Sequence, residues 1–174
     1  MRKLPVLATS ILLCMCAAAS RAGAERHELY WQAGADFLSG PKELVAGFGS
    51  GPGYRFHVSE SWQLTAEMRF LMMAGNLVSV GLGGAYRFRT GLWRPTIGLF
   101  GHVYFGQRLV IIDSNEPEPP ALPTISLALR LSPLHFDNGR YSATVLDVSP
   151  AIAVTSQPIP FGLSITVLSV GTRF

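Results

Sequence analysis

Cysteine is the scarcest informative residue. The chain has two, Cys14 and Cys16, and both lie in the apolar run 4–19 behind Arg2 and Lys3. The run is followed by Ala22-Gly23-Ala24, and a charged start, an apolar stretch and small residues at a cleavage position form a secretory signal removed after Ala24. Residues 4–19 fall short of the roughly 20 that a spanning helix needs. Leu13 and Met15, ahead of the two cysteines, are too large for a lipoprotein signal. The expected organisation is therefore a signal peptide, 1–24, and one domain, 25–174. Without residues 1–24 the chain has no cysteine, which excludes disulfides, thiolate catalysis and cysteine metal sites.

That domain is also nearly without lysine and carries no net charge. The chain holds 14 Lys+Arg and 11 Asp+Glu, and Arg2, Lys3 and Arg21 lie in or beside the apolar run, so 11 basic residues remain against 11 acidic ones. No basic surplus points to nucleic acid. Only Lys42 among the remaining basic residues is lysine, and arginine suits fixed, bidentate pairing in confined space better than loose solvation. Helix-period segments and long repeats are absent as well.

What recurs is alternation. In Trp62-Gln63-Leu64-Thr65-Ala66-Glu67-Met68-Arg69-Phe70 every even position is apolar and every odd one polar, the pattern of a strand with two unlike faces. Leu29, Trp31, Ala33, Ala35 and Phe37 likewise oppose Glu28, Tyr30, Gln32 and Asp36. Ile125, Leu127, Leu129 and Leu131 oppose Thr124, Ser126, Ala128 and Arg130. Eight strands are predicted, at 28–38, 45–58, 62–73, 77–88, 93–105, 124–132, 141–154 and 162–174, the last two with weaker alternation. Several reach the roughly 9–11 residues a tilted strand needs to cross a bilayer. Pro52 and Pro150 predict a bulge or a strand end, because proline cannot donate to a ladder. Tight turns follow strands 2, 4 and 6, at Ser59-Glu60-Ser61, Arg89-Thr90-Gly91 and Asp137-Asn138-Gly139, while the other connections vary and 106–123 is the longest. Short turns on the periplasmic side and longer loops outside are the arrangement of an outer-membrane barrel.

Alternation does not say which face points out, but the strand ends do. Near the short-turn end of the strands stand Tyr30, Trp31, Phe56, Trp62, Phe88, Trp93, Phe136, Tyr141 and Phe174, a girdle suited to a water–lipid boundary. In these features, and in the terminal strand Leu168-Ser169-Val170-Gly171-Thr172-Arg173-Phe174, the chain resembles the small eight-stranded bacterial outer-membrane β-barrel proteins, the class of the OmpA transmembrane domain. The resemblance covers all of 25–174. It implies an all-β, eight-stranded antiparallel up-and-down transmembrane barrel in the bacterial outer membrane. It also implies outer-membrane lipids as surroundings, the barrel-assembly machinery as a partner during insertion, and Phe174 as the C-terminal insertion signal.

The inward face then holds Glu28, Asp36, Arg55, His57, Glu67, Arg69, Arg87, Arg94, His102 and Arg130, together with Gln32, Gln63 and Tyr104. The interior of an eight-stranded barrel is just wide enough for side chains to fill, and an unpaired buried charge is expensive, so a plugged polar network is expected. Glu67 is the expected central acceptor, with Arg69, Arg55 and Arg87 around it. Inward glycines at 47, 49, 51, 53, 81 and 83 either make room inside or permit tight coiling. A His57-Val58-Ser59 stretch with Glu67 has the residue types of a Ser-His-acid set, as in some lipid A deacylases. It falls, however, on the inward face beside a periplasmic turn. His27, His102 and His135 do not have metal-ligand spacing. No catalytic, metal or cofactor site is assigned. The expected function is a non-enzymatic structural or surface-displaying barrel, with a narrow channel as the alternative and a lipid-modifying enzyme third. The acidic, proline-rich loop 106–123 is the place for a surface ligand of unknown kind.

Overall fold

The computed structural model describes residues 26–39, 44–72, 77–88, 91–106, 124–154 and 161–174. The expected signal 1–24 and most of loop 106–123 lie outside them. The strands are β1 (His27–Ser39), β2 (Leu44–His57), β3 (Trp62–Met72), β4 (Leu77–Arg87), β5 (Thr96–Gly106), β6 (Thr124–Ser132), β7 (His135–Asp137), β8 (Tyr141–Thr144), β9 (Asp147–Ala153) and β10 (Phe161–Arg173). Each of β1 to β5 pairs with the next, β6 pairs with β9, and β10 pairs with β8, β9 and β1. β7 continues the line of β6 beside β8. β6 with β7, and β8 with β9, are thus halves of single staves, and eight antiparallel staves close into a barrel.

The two faces are inverted relative to a soluble protein. Leu64, Leu82 and Leu99 on the outer wall are 54%, 63% and 59% exposed, while Glu28, Arg69 and Arg87 inside are 0%, 3% and 3% exposed. Soluble monomers rarely expose contiguous apolar patches beyond a few hundred Å², whereas here the apolar exterior runs around the wall. A hydrocarbon surrounding removes that penalty.

Two turns at the short-turn end show why the sequence bends there. The Ser59 hydroxyl accepts from the backbone N–H of Ser61 and Trp62 at 3.3 and 3.1 Å. At the β7–β8 hairpin Asn138 Oδ1 accepts from the N–H of Tyr141 at 2.7 Å, and Gly139 takes φ +94°, which a side chain would disfavour.

Three expectations need correction. Neither Pro52 nor Pro150 ends a strand or shifts a register: β2 and β9 run through them, and only the ladder on one side lapses, across Gly51 and Pro52 toward β3 and across Ser149 and Pro150 toward β6. The fifth strand begins at Thr96 and not at 93, because Pro95 has no N–H to donate, and Trp93 makes an isolated bridge to Phe136. Tyr30 does not belong to the girdle; it is buried in the lumen.

The weak alternation of the last strands has a structural cause. At Pro133-Leu134, Val145-Leu146 and Val167-Leu168 two consecutive residues face outward, so the inward parity changes from even to odd along each stave. These pairs lie side by side: Leu134 accepts from the N–H of Val145 at 3.0 Å, and Val145-Leu146 falls opposite Val167-Leu168 between the pairs Thr144–Ser169 and Asp147–Thr166. Register is kept within this row and shifts at its edge, between Ala33 and Gly34 of β1.

Candidate functional site

The lumen is built in three charged layers and an apolar cap. In the layer nearest the short turns Arg55 donates to Glu28, and the Ser142 hydroxyl donates to the same carboxylate at 2.6 Å. His57 Nε2 lies 3.0 Å from the other Glu28 oxygen. Asp137 accepts from Arg87 at 2.6 Å and from Arg173. Arg173 also lies 3.5 Å from Glu28 and so joins the two carboxylates.

In the middle layer Arg130 donates to both oxygens of Glu67, the Nη1 bond being 2.9 Å. It also lies 3.3 Å from Asp147, with its guanidinium 3.7 Å above the Phe100 ring. The Tyr30 hydroxyl donates to Glu67 at 2.7 Å, and Arg55 sits 3.9 Å over the Tyr30 ring, linking this layer to the one below. In the outer layer Arg69 donates to Asp36 at 2.8 Å, Ser164 at 2.9 Å, Gln32 at 3.1 Å and Thr166 at 2.6 Å. Above it Leu38, Leu71, Leu77 and Tyr104 form a buried apolar cluster.

Nine of the ten residues expected inside, Glu28, Asp36, Arg55, His57, Glu67, Arg69, Arg87, His102 and Arg130, are buried on the inward face. Arg94 departs. It lies in the β4–β5 connection with 31% of its side chain exposed, and reaches Asp137 only at 3.6 Å. The arginines do not converge on Glu67. Arg69, Arg55 and Arg87 each take a different carboxylate, and the hub of the middle layer is Arg130, with Glu67 and Asp147 both facing it.

Asp137, Asp147 and Arg173 were not among the expected interior residues. With them the inward charges among the described residues balance, five arginines (55, 69, 87, 130, 173) against five carboxylates (28, 36, 67, 137, 147). The glycine question resolves position by position: a side chain on Gly53 or Gly83 would enter the ring of Tyr30 or Phe100, whereas on Gly49 or Gly51 it would meet the backbone of β3. Both making room and close strand approach are in use.

The His57-Val58-Ser59 stretch forms no triad. His57 turns to Glu28, and Ser59 is spent on the turn. Among the described residues no three His, Asp or Glu side chains are grouped to hold a metal ion. His102 is stacked between Phe100 and Tyr104 at 6.1 and 6.2 Å.

No protein-family model matches the chain, and no curated protein matches it. Solved structures do. Neisserial surface protein A is similar at a TM-score of 0.65 with 11% identity, covering 85% of this chain and 97% of that one. The N-terminal β-barrel domain of Pseudomonas aeruginosa OprF gives 0.55 and 13%, covering 86% and 98%. Ail, the attachment invasion locus protein of Yersinia pestis, in complex with the heparin analogue sucrose octasulfate, gives 0.51 and 12%, covering 86% and 98%. At these identities the likeness is one of fold, and the fold this chain shares is that of the small eight-stranded outer-membrane β-barrels.

Proposed function

We propose that the chain is an integral protein of the bacterial outer membrane that works through its stability and its displayed loops, as a structural or surface protein, and does not conduct or catalyse. The observation that carries this reading is the filled lumen. From Glu28 and Asp137 through Arg130 to Arg69, paired side chains no more than about a tenth exposed cross the interior, and the Leu38, Leu71, Leu77 and Tyr104 cluster covers the loop end. An ion crossing here would have to part several buried pairs at once, each of which costs several kcal/mol to break. A narrow channel is the competing role. The loop 106–123 carries Asp113, Glu116 and Glu118 against Arg108 alone. It therefore repels a polyanion such as the one bound to Ail, and the surface partner it suits is neutral or cationic.

Planar-bilayer recording of the refolded full chain tests this. The expected trace is flat, with Leu71→Ser and Arg69→Ala together introducing stepwise current. Stable openings of the parent at low voltage would replace the plugged reading by a channel.

A further inference from the structure

The outer wall carries phenylalanine at both ends, Phe88 and Phe174 standing near the short turns, but confines its indole and phenol groups to one. Its tryptophans, Trp31, Trp62 and Trp93, and its outward tyrosines, Tyr54, Tyr86 and Tyr141, all stand in the half nearer the short turns, whereas the loop end carries phenylalanines such as Phe48, Phe70 and Phe161. Indole N–H and phenol O–H groups belong at a headgroup level, where one end of the ring is apolar and the other wet. Phenylalanine has no such handle.

Charge at the short-turn rim is also uneven. The exposed acid Glu60 lies in the β2–β3 turn. Beside that turn, which Arg87 ties to the end of β4 through the Glu60 carbonyl at 2.8 Å, the β4–β5 connection carries Arg94; across the rim the β7–β8 connection carries Arg140, and the acid between them, Asp137, is buried and already holds Arg87 and Arg173. Arg94, 3.6 Å away, is a third cation on one carboxylate. Arg140 lies 5.5 Å over the ring of Tyr141, which is 53% exposed.

The two connections are fastened together. Asp137 N–H donates to Leu92 at 2.9 Å and Arg94 N–H to His135 at 2.8 Å, Trp93 bridges Phe136, and Arg94 Nε donates to Gly91 at 2.7 Å. The two surplus guanidinium groups are thus borne on a tied pair of turns, with indole and phenol beside them.

We propose that this sector is a binding site for the phosphate of an anionic phospholipid in the periplasmic leaflet, with Arg94 and Arg140 at the phosphate and Trp93 and Tyr141 against the glycerol and upper acyl chain. Guanidinium pairs bidentately with phosphate. A zwitterionic headgroup would return a cation to a sector already in cation surplus, so a net anion is preferred. The inference rests on the membrane reading above.

The test uses full-length protein keeping Trp93 as its sole tryptophan, through Trp31→Phe and Trp62→Phe. It is refolded into phosphatidylcholine vesicles with a minor fraction of either phosphatidylglycerol or phosphatidylcholine brominated in the acyl chain. Trp93 fluorescence is expected to be quenched several-fold more by the anionic lipid, and Arg94→Gln with Arg140→Gln should abolish the difference. A variant keeping only Trp31 should respond equally to both. Equal quenching of Trp93 by the two lipids overturns the site and leaves the membrane reading intact. No quenching by either removes both. If the single-tryptophan variant does not insert, native mass spectrometry of the parent decides: retained phosphatidylglycerol adducts, reduced by the two Gln substitutions, support the site, and equal retention of phosphatidylcholine refutes it.

Discussion

Removing Arg130 should damage the barrel more than removing Glu67, although the two are partners. Glu67 is 7% exposed and accepts two bonds from Arg130 and one from Tyr30. Breaking a buried pair from one side costs about 3–5 kcal/mol, because the surviving charge is left without compensation. After Glu67→Ala the survivor is Arg130, and Asp147 at 3.3 Å still faces it, so the loss belongs at the low end, about 3 kcal/mol. The Tyr30 hydroxyl can turn to another acceptor, and Glu67→Gln, which keeps a carbonyl for it, should cost less again. After Arg130→Met the survivors are two carboxylates, Glu67 and Asp147, with the Phe100 face bare beneath the lost guanidinium. That places the loss at about 5 kcal/mol or above.

Urea titration of barrels refolded in detergent reads the difference. A gap of about 2 kcal/mol between the variants corresponds to roughly 1 M in midpoint at ordinary slopes. In the double variant the coupling term should recover the pair energy. Equal midpoints for Glu67→Ala and the parent would mean a solvated side chain and an open aqueous lumen. A larger loss for Glu67→Ala than for Arg130→Met would restore Glu67 as the hub and refute the ordering.

Charge on the outer wall gives a second test: Leu64→Arg or Leu99→Arg, both more than half exposed to the surroundings, should cost about 2–4 kcal/mol in lipid vesicles, whereas Thr65→Ser, buried and inward, should be mild. Equal tolerance of both parities would refute the assignment of faces. Gly53→Leu should destabilise the refolded barrel more than Gly101→Leu, since the first drives a side chain into the Tyr30 ring and the second meets only the Leu82 carbonyl oxygen, at 4.0 Å; comparable urea midpoints would show that Tyr30 does not lie against Gly53. N-terminal sequencing of membrane-extracted protein should begin at Glu25, and recovery of Met1 would sink the signal assignment.

Strand periodicity was legible wherever both faces kept one parity over a whole strand. β1, β3 and β5 read cleanly because Glu28, Gln32, Asp36, Glu67, Arg69 and His102 alternate with Leu29, Trp31, Leu64, Leu99 and their like. Inward aromatic residues were harder, since Phe100 has the composition of the lipid face and the position of the lumen, and only its contact with Arg130 explains it. Which carboxylate meets which arginine was not legible, because partners such as Glu67 and Arg130 stand on staves that are not neighbours. Strand alternation fixes which side a residue faces but not its height or its reach across the lumen.

Asp137, Asp147 and Arg173 escaped for one shared reason, the row of doubled outward residues at Pro133-Leu134, Val145-Leu146 and Val167-Leu168. On a single strand such a doubling would throw its register against both neighbours, because one extra residue turns every later side chain to the other face. Here three adjacent staves double at the same level, so each keeps step with the next, Thr144 with Ser169 and Asp147 with Thr166 on either side of the row. The mismatch is left to the borders: at β1 it is absorbed between Ala33 and Gly34, and at β5 it falls where Pro95 already breaks the ladder. The six doubled residues are apolar and face outward, which suits hydrocarbon. What the row achieves lies on the inside. Had the outer-half parity of β6 and β10 continued, Asp137 and Arg173 would point into lipid and Arg87 would have no carboxylate. With the row in place, both turn inward, meet each other and join Glu28. The interruption that weakens the pattern in the sequence is therefore the device that completes the charge balance of the lumen.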